Sequence, residues 1–531
     1  MKSTELADWH EAVSASELAN RGQTVVKLNG RQILVMQHGD QVFACDNRCP
    51  HEGHPLAKGV LDDDCRLTCN WHNWKFDLVS GETIRGGDQL RRYAVRRSNS
   101  MIEVDLAEPP ATETRQAALM GLKTAFDEHD YTRLAREAAR FEGAEGDLRE
   151  MLTAAFGWAA TGLEDGTTHA HAAAPDWLAL RSRLPEAQPA DRLVPLVEIL
   201  GHASWDTLQQ PGNFPLAPGE ADAFDADALT TAIEAEDEDA AIRLARAGLA
   251  EGGGALLRPA LERAALRHYQ GFGHSVIYAF KTYQLLELLG PDAAPALLLP
   301  LVRSLCVGTR EDLIPEFRAY APALAAWDGA GTDMPTVDDF RGAGVARCLE
   351  LITGGSSDID PLYNVLMHAA ADAMLHYDAR FRERFDGPIG QNIDWLDFSH
   401  ALTQLNASRM ICGHQPGLWP AALLQAGCFL GRNAAFVDWE QDVGRWAVDD
   451  RDALFDRIFE GLLDHGQPTY IFVAHRLKLA TALRVEIDHQ PGARWVPTAL
   501  AALNRFVHEP VKQKHVRRSA HQAWHFVSGA G

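Results

Sequence analysis

Short apolar runs separated by turn signals open the chain. Residues 24–28 read as a strand, Asn29-Gly30 as a hairpin turn, and residues 33–36 as the return strand. Gly39-Asp40 makes a second turn before residues 41–45. Residues 1–108 therefore read as a small β-rich domain. Pro109-Pro110 and the Ala/Thr/Glu stretch that follows, 109–117, read as a linker. From 118 onward the period changes. Ala/Leu-rich amphipathic stretches follow one another at 131–160, 238–251, 258–289, 295–306, 362–384, 396–411, 418–431, 452–465 and 471–487, punctuated by Gly and Pro. The pattern predicts a multidomain protein in which a small all-β domain precedes a large all-α domain over 118–531.

Composition narrows the function. With 531 residues the chain is too long for one ordinary core. There are 73 acidic against 50 basic residues, a formal net charge of −23, so the surface repels nucleic acid and anionic lipid. The first residues show no apolar leader, and no uninterrupted apolar stretch is long enough to span a bilayer. The expectation is a cytoplasmic protein with no nucleic-acid or membrane partner. Eight cysteines are sparse for this length and do not suggest a disulfide framework.

Chemistry concentrates first in Cys49-Pro50-His51, followed after seventeen residues by Cys69-Asn70-Trp71-His72. Two short loops, each with one thiol and one imidazole, suit a [2Fe–2S] cluster in which two thiolates hold one iron and two imidazoles the other. A Cys₂His₂ zinc site uses the same residue types, but the one-residue spacing in Cys49-x-His51 fits it poorly. The segments CPHEGHPLAKG (49–59) and CNWHNWKFDLVSGE (69–82) resemble the Rieske ferredoxin family over about residues 8–106. The resemblance implies Cys49, His51, Cys69 and His72 as cluster ligands. High-potential members of that family carry two further cysteines that bridge the loops. The matching positions here are His54 and Trp71, and Asn73-Trp74 follows His72 where a serine would donate to sulfur. Fewer hydrogen bonds to sulfur imply the low-potential ferredoxin or oxygenase type. Cys45 and Cys65 are left as small buried apolar residues. Arg85, Arg91, Arg92, Arg96 and Arg97 form either a docking patch or a solvated strand face.

Seventeen of the 22 histidines lie beyond residue 118. The D-x₂-H-x₃₋₄-H iron pattern of Rieske oxygenases is missed by Asp165, His169 and His171 on both spacings. A second resemblance rests on WLDFSHALTQLNASRM (395–410), HRLK (475–478), GHSVIYAFKTYQLLELLG (273–290) and THAHAAAPDWLAL (168–180), which are similar to segments of the questin oxidase-like family. It implies a helical, oxygen-dependent oxidase of polycyclic phenols or quinones. Carried over residue by residue, it implies His274, His400, His475 and Lys478 as metal ligands, with His171 taken from the 169/171 pair, and Lys478 and Tyr278 as catalytic groups. Helical bundles build metal sites from one inward histidine per helix, and iron accepts several imidazoles. An ammonium cannot ligate a cation, so Lys478 must be neutral or carboxylated by CO₂. His368, Asp372 and His376, spaced by four, form a competing set, although successive steps drift by roughly 40° around the helix.

The expected function is an iron-dependent oxygenase. A Rieske cluster delivers electrons to a non-haem Fe(II) that activates O₂ on an aromatic or phenolic substrate. The electrons come indirectly from NAD(P)H through a reductase or ferredoxin, and the chain can form a homo-oligomer. The alternative is a non-catalytic electron-transfer or redox-sensing protein whose helices bind a partner. A diiron oxidase is disfavoured because few Glu-x-x-His pairs occur in the helices.

Overall fold

Four consecutive apolar residues, Ile33 to Met36, are all buried, and the strand that carries them is covered on both faces. The computed structural model describes residues 7–528 except 211, 389 and 390. Strands β1 (Trp9–Ser14), β2 (Gln23–Leu28), β3 (Arg31–His38) and β4 (Gln41–Asp46) follow in order, with helix α1 (Ala15–Arg21) after β1. Then come β5 (Val60–Leu61), β6 (Arg66–Thr68), β7 (Lys75–Asp77), β8 (Thr83–Arg85), β9 (Arg92–Tyr93), β10 (Val95–Ser98) and β11 (Met101–Asp105). They form antiparallel sheets of order β1-β11-β10, β2-β3-β4-β9 and β5-β6-β7-β8. Ile33 and Val35 pack with Ile102 and Val104, whereas Leu34 and Met36 pack with Leu67, Phe76, Cys49 and Cys69. The middle sheet thus joins two cores, and the second core holds both motif cysteines. At the β2–β3 hairpin, Asn29 and Gly30 both have positive φ, as the Asn-Gly turn predicts.

The boundary differs from the one read off the sequence. Helix α2 (Ala111–Glu128) starts inside the expected 109–117 linker, and α3 (Tyr131–Gly143) packs against it. The first compact unit runs Met1–Asp147, beyond the expected limit of 108. A buried carboxylate explains this. Asp88, only 4% exposed, accepts 2.8 Å bonds from Arg136 Nε and from Arg140 Nη1 and Nη2, both on α3. Burial pushes the Asp88 carboxyl upward, but the Arg140 and Arg136 guanidiniums outweigh it and hold it below the usual carboxylate range.

Asp88→Asn is expected to cost about 1–3 kcal/mol, because it strips both guanidiniums of their charged partner. A depressed folded-state pKa means this contribution is complete above the unfolded value of about 4 and fades as pH falls through the lower folded value. Denaturation of both proteins at pH 7 and at pH 2–3 checks it. The gap should be present at pH 7 and shrink in acid. Equal stability at pH 7 would remove the anchor.

The second unit, Leu148–Gly531, is helical. It begins with α4 (Leu148–Ala159), α5 (His169–Arg183), α6 (Pro189–Gln209), α7 (Ala226–Glu234) and α8 (Glu238–Arg267). It continues through α9 (His274–Leu289), α10 (Ala294–Val307), α11 (Tyr320–Ala325), α12 (Val337–Phe340), α13 (Val345–Gly354) and α14 (Ile359–Leu375). It closes with α15 (Trp395–Cys412), α16 (Trp419–Asn433), α17 (Arg451–Leu462), α18 (Tyr470–His489), α19 (Val496–His508) and α20 (Val516–Ser528). The expected break between 251 and 258 is instead a kink at Gly253, whose φ is +67°. The expected continuous helix 258–289 breaks before His274. Gly273 has φ +79°, and a Cβ there would come within 2.5 Å of the Phe429 ring, so only glycine fits. Among the described residues one segment, Pro291–Leu313, is long and apolar enough to cross a membrane. Its most apolar window is 61% buried within the structure, as in the core helix of a folded domain.

Four of these helices close a ring: α5 packs on α9, α9 on α15, α15 on α18, and α18 on α5. They are the helices that position the site.

Candidate functional site

The two motif loops share one backbone design. Cys49 N donates to His54 O at 2.9 Å, and Gly53 N donates to Cys49 O at 2.8 Å. Correspondingly, Cys69 N donates to Trp74 O at 2.8 Å, and Asn73 N donates to Cys69 O at 3.0 Å. Gly53 and Asn73 hold the same place in each turn and both have positive φ, +73° and +59°. Glycine and asparagine are the residues that tolerate this. The turns bury the Cys49 and Cys69 thiols in one core cluster. The His51 and His72 rings meet edge to face at 4.6 Å, and Trp74 stacks on His51 at 4.7 Å. His51 Nδ1 is buried and has no hydrogen-bond partner among the described residues. Two thiols buried in one cluster, two adjacent imidazoles and an unsatisfied ring nitrogen fit the donor set of a His₂Cys₂ [2Fe–2S] centre. His54 and Trp71, which stand where a loop-bridging disulfide would lie in high-potential relatives, stack face to face at 5.4 Å.

The arginine cluster is largely consumed inside its own domain. Arg91 bonds Glu108 at 2.8 Å, Arg96 bonds Glu103 at 2.6 Å, and Arg92 donates to the Leu78, Val79 and Ser80 carbonyls. Arg85 and Arg97 are exposed. Cys45 and Cys65 are buried, as expected of small apolar residues.

In the second unit each ring helix contributes one histidine: His169 opens α5, His274 opens α9, His400 lies on α15 and His475 on α18. His400 and His475 are buried, and His169 and His274 are half-buried. Nε2 of His475 is 2.8 Å from Nε2 of His400, and Nε2 of His274 is 3.2 Å from Nε2 of His169. One ring nitrogen each from His169, His400 and His475 can be chosen within 4.8 Å of the others. Backbone carbonyls set the tautomers. Nδ1–H of His274 donates to Gly271 O at 2.6 Å, and Nδ1–H of His475 donates to Ile471 O at 2.6 Å. Each neutral ring therefore presents its Nε2 lone pair to the centre. His169 Nδ1 has the Tyr278 hydroxyl at 3.3 Å, one turn along α9 from His274. Burial pushes all four imidazoles well below the usual histidine range, with His274 down to about 4. Converging neutral imidazoles, two of them with Nε2 lone pairs turned inward, can share a divalent cation.

His274, His400, His475 and Tyr278 are brought together as the sequence suggests, whereas His171 is not. His171 turns back on its own helix start. Thr168 N lies 3.3 Å from His171 Nδ1 in a capping box, and the ring packs on Phe156 at 4.7 Å. The residue that joins the group is His169. The signal was present in the sequence: Thr168 followed three residues later by a hydrogen-bonding side chain marks a helix start, which ties up His171 and leaves the first helical residue free. Lys478 lies one turn after His475 and is 1% exposed. Its Nζ has no hydrogen-bond partner among the described residues, and burial pushes its ammonium down to about 7. The competing set does other work. Asp372 is held by Arg341 at 2.9 Å and His376 at 3.2 Å, while His368 bonds Thr498 at 3.1 Å.

A cavity of about 670 Å³ reaches His169, His274 and Tyr278. Its wall also carries His202, Trp205 and Asp206, which the sequence did not flag. Burial pushes the Asp206 carboxyl up to about 6, against bonds from Thr168 and Ala170.

Comparison with known proteins bears on the first unit. Residues 8–94 match the Rieske [2Fe-2S] domain family. The chain is similar to apoptosis-inducing factor 3 of Mus musculus, 27% identical over 106 residues, 20% of this chain and 17% of that protein. It is similar to the ferredoxin component of the naphthalene 1,2-dioxygenase system of Pseudomonas putida, 24% identical over 101 residues, 19% of this chain and 96% of that protein. It is also 32% identical over 74 residues to methylxanthine N1-demethylase NdmA of Pseudomonas putida, 13% of this chain and 21% of that enzyme. Among solved structures, the ferredoxin of carbazole 1,9a-dioxygenase from Nocardioides aromaticivorans IC177 aligns at 24% identity and TM-score 0.17, over 18% of this chain and 96% of that one. The N-terminal domain is thus a Rieske [2Fe–2S] domain, and these matches extend over about a fifth of the chain or less.

Proposed function

We propose that this chain is an oxygenase: electrons enter at the Rieske domain and are spent at the four-histidine group on an organic, aromatic or phenolic, substrate. A [2Fe–2S] cluster held by Cys49, His51, Cys69 and His72 supplies single electrons, and a non-haem iron held by His169, His274, His400 and His475 supplies the chemistry toward O₂. The observation that carries the reading is the convergence of four neutral imidazoles, one from each helix of a closed ring. The four segments that resemble the questin oxidase-like family fall on those same helices, which supports it further. Gly271 and Ile471 carbonyls orient the His274 and His475 rings, so that Nε2 is the donor atom. Tyr278 lies 3.3 Å from His169 Nδ1 and borders the cavity, where burial keeps its hydroxyl protonated and able to donate a hydrogen bond to a bound substrate. Similarity of the first domain to the naphthalene dioxygenase ferredoxin component and to a demethylase favours spending the electrons on oxygenation, with a reductase or ferredoxin as donor.

The test uses the full chain and His400→Ala, reduced chemically or by a ferredoxin reductase with NADH, against a panel of phenolic substrates. His400→Ala should show the wild-type rate of cluster reduction, read by bleaching and EPR, yet form no product. Product formation at the wild-type rate would overturn the assignment of this centre.

A further inference from the structure

We propose that α20 is the contact through which two copies of this chain pair, its exposed apolar stripe packing antiparallel on the same stripe of the second copy. The helix is amphipathic but turned inside out. Its polar side is the one that docks: Arg518 donates to the Phe381, Arg382 and Arg384 carbonyls, and His521 packs on the Phe385 ring at 4.7 Å. At about 100° per residue, Val516, Ala520, Ala523, Trp524 and Val527 fall on the opposite side. All five are exposed, and α20 has no buried residue. Trp524, Phe526 and Val527 are 71%, 88% and 79% exposed. A contiguous apolar face of this kind marks a contact surface.

The order of residues along the stripe selects a second copy as the occupant. Val516, Ala520, Ala523 and Val527 are spaced four, three and four, so the series reads the same from either end. A two-fold contact between antiparallel helices requires this, because each residue meets its mirror position and the reverse holds. In this register Val516 meets Val527 of the second copy, and Ala520 meets Ala523 of the second copy. The central alanines let the two backbones approach closely, and Trp524 lies over the alanines of the other helix. The same register sets Arg517 against Phe526 of the second copy, a cation beside an aromatic ring.

Charge favours the same pairing. Arg517 stands in the first turn of α20, where the helix dipole disfavours a cation. Antiparallel pairing sets it beside the C-terminal end of the other helix, where the dipole favours it. Two copies of a chain with net charge −23 repel each other. Residues 510–528 carry Lys512, Lys514, Arg517 and Arg518 and no acidic side chain, so contact here meets that repulsion at its weakest. A helix of 13 residues is about 20 Å long and covers less than the roughly 800 Å² per partner of a standard interface. The dimer is therefore reversible, and dilution dissociates it.

Sedimentation equilibrium of the full chain over the micromolar range tests this, with Ala520→Lys, Ala523→Glu and their equimolar mixture run beside wild type. Both positions are exposed in the single chain, so the substitutions leave its fold intact, and the cluster absorption confirms it. Wild type should pass from monomer to dimer as concentration rises. Each variant alone should dimerise at least about 10-fold more weakly, because a charge is buried opposite a methyl group. The mixture should regain the dimer, because only the mixed pair sets lysine against glutamate. A wild type that stays monomeric throughout overturns the proposal. If it then sediments with anionic phosphatidylglycerol vesicles, the stripe is a lipid-binding face instead. Dimers unweakened in both variants place the contact elsewhere and overturn it too. Variants weakened alone but not restored on mixing overturn the antiparallel register. None of these outcomes touches the reading of the histidine group.

Discussion

A Cys69→Ser variant, pre-reduced and given substrate and O₂, is expected to form no more than a single product per chain, whereas wild type with a reductant turns over continuously. Serine is a poor ligand where a thiolate is needed, so electron entry at the Rieske domain ends. The helical unit is a separate compact body and should keep its metal. The physical argument is electron supply. Monooxygenation consumes two electrons beyond those of the substrate, and a mononuclear ferrous site readily gives one. A covalently joined donor raises its effective concentration at the acceptor to about the millimolar range. Ring cleavage of the dioxygenase kind needs no external electrons. It predicts repeated turnover by Cys69→Ser with substrate and O₂ alone. Counting product per chain separates the two, and many turnovers would leave the Rieske domain without an electron-delivery role.

The second large effect is a contrast between neighbours. His169→Ala should weaken metal binding by about 10-fold or more, because its Nε2 lies 3.2 Å from that of His274 at the centre. His171→Ala, two residues away, should leave metal affinity unchanged and lower stability instead, by about 1–3 kcal/mol, as packing on Phe156 and the cap bond to Thr168 are lost. Metal titration and thermal melts of both variants check it. Metal loss in His171→Ala with retention in His169→Ala would reverse the assignment.

The parts legible in the sequence are those where function is local. Cys49, His51, Cys69 and His72 sit on two tight turns, and short spacing alone brings each thiol beside its imidazole. The β2–β3 hairpin follows from Asn29-Gly30. His400 and His475 were reached through the resemblance of their segments to the questin oxidase-like family, because α15 and α18 carry several other polar residues and local pattern does not single the histidines out. What was missed is long-range or locally atypical. Nothing in the local pattern says that Asp88 will be buried under Arg136 and Arg140, so α2 and α3 were assigned to the wrong side of the boundary. Helices α5 and α6 carry Pro175 and Pro195 inside them, and α5 is buried on nearly every face, so neither shows a clean polar stripe. Asp206 and His202 look ordinary along the chain and gain interest only beside the cavity.

The most direct measurement is the transition-metal content of the intact chain, by elemental analysis, alongside the His400→Ala/His475→Ala double variant. The account predicts about three metal ions per wild-type chain, two from the cluster and at least one more, falling to about two in the variant while the reduced-cluster EPR signal is unchanged. Two irons per wild-type chain, with no further metal after anaerobic ferrous loading, would contradict it.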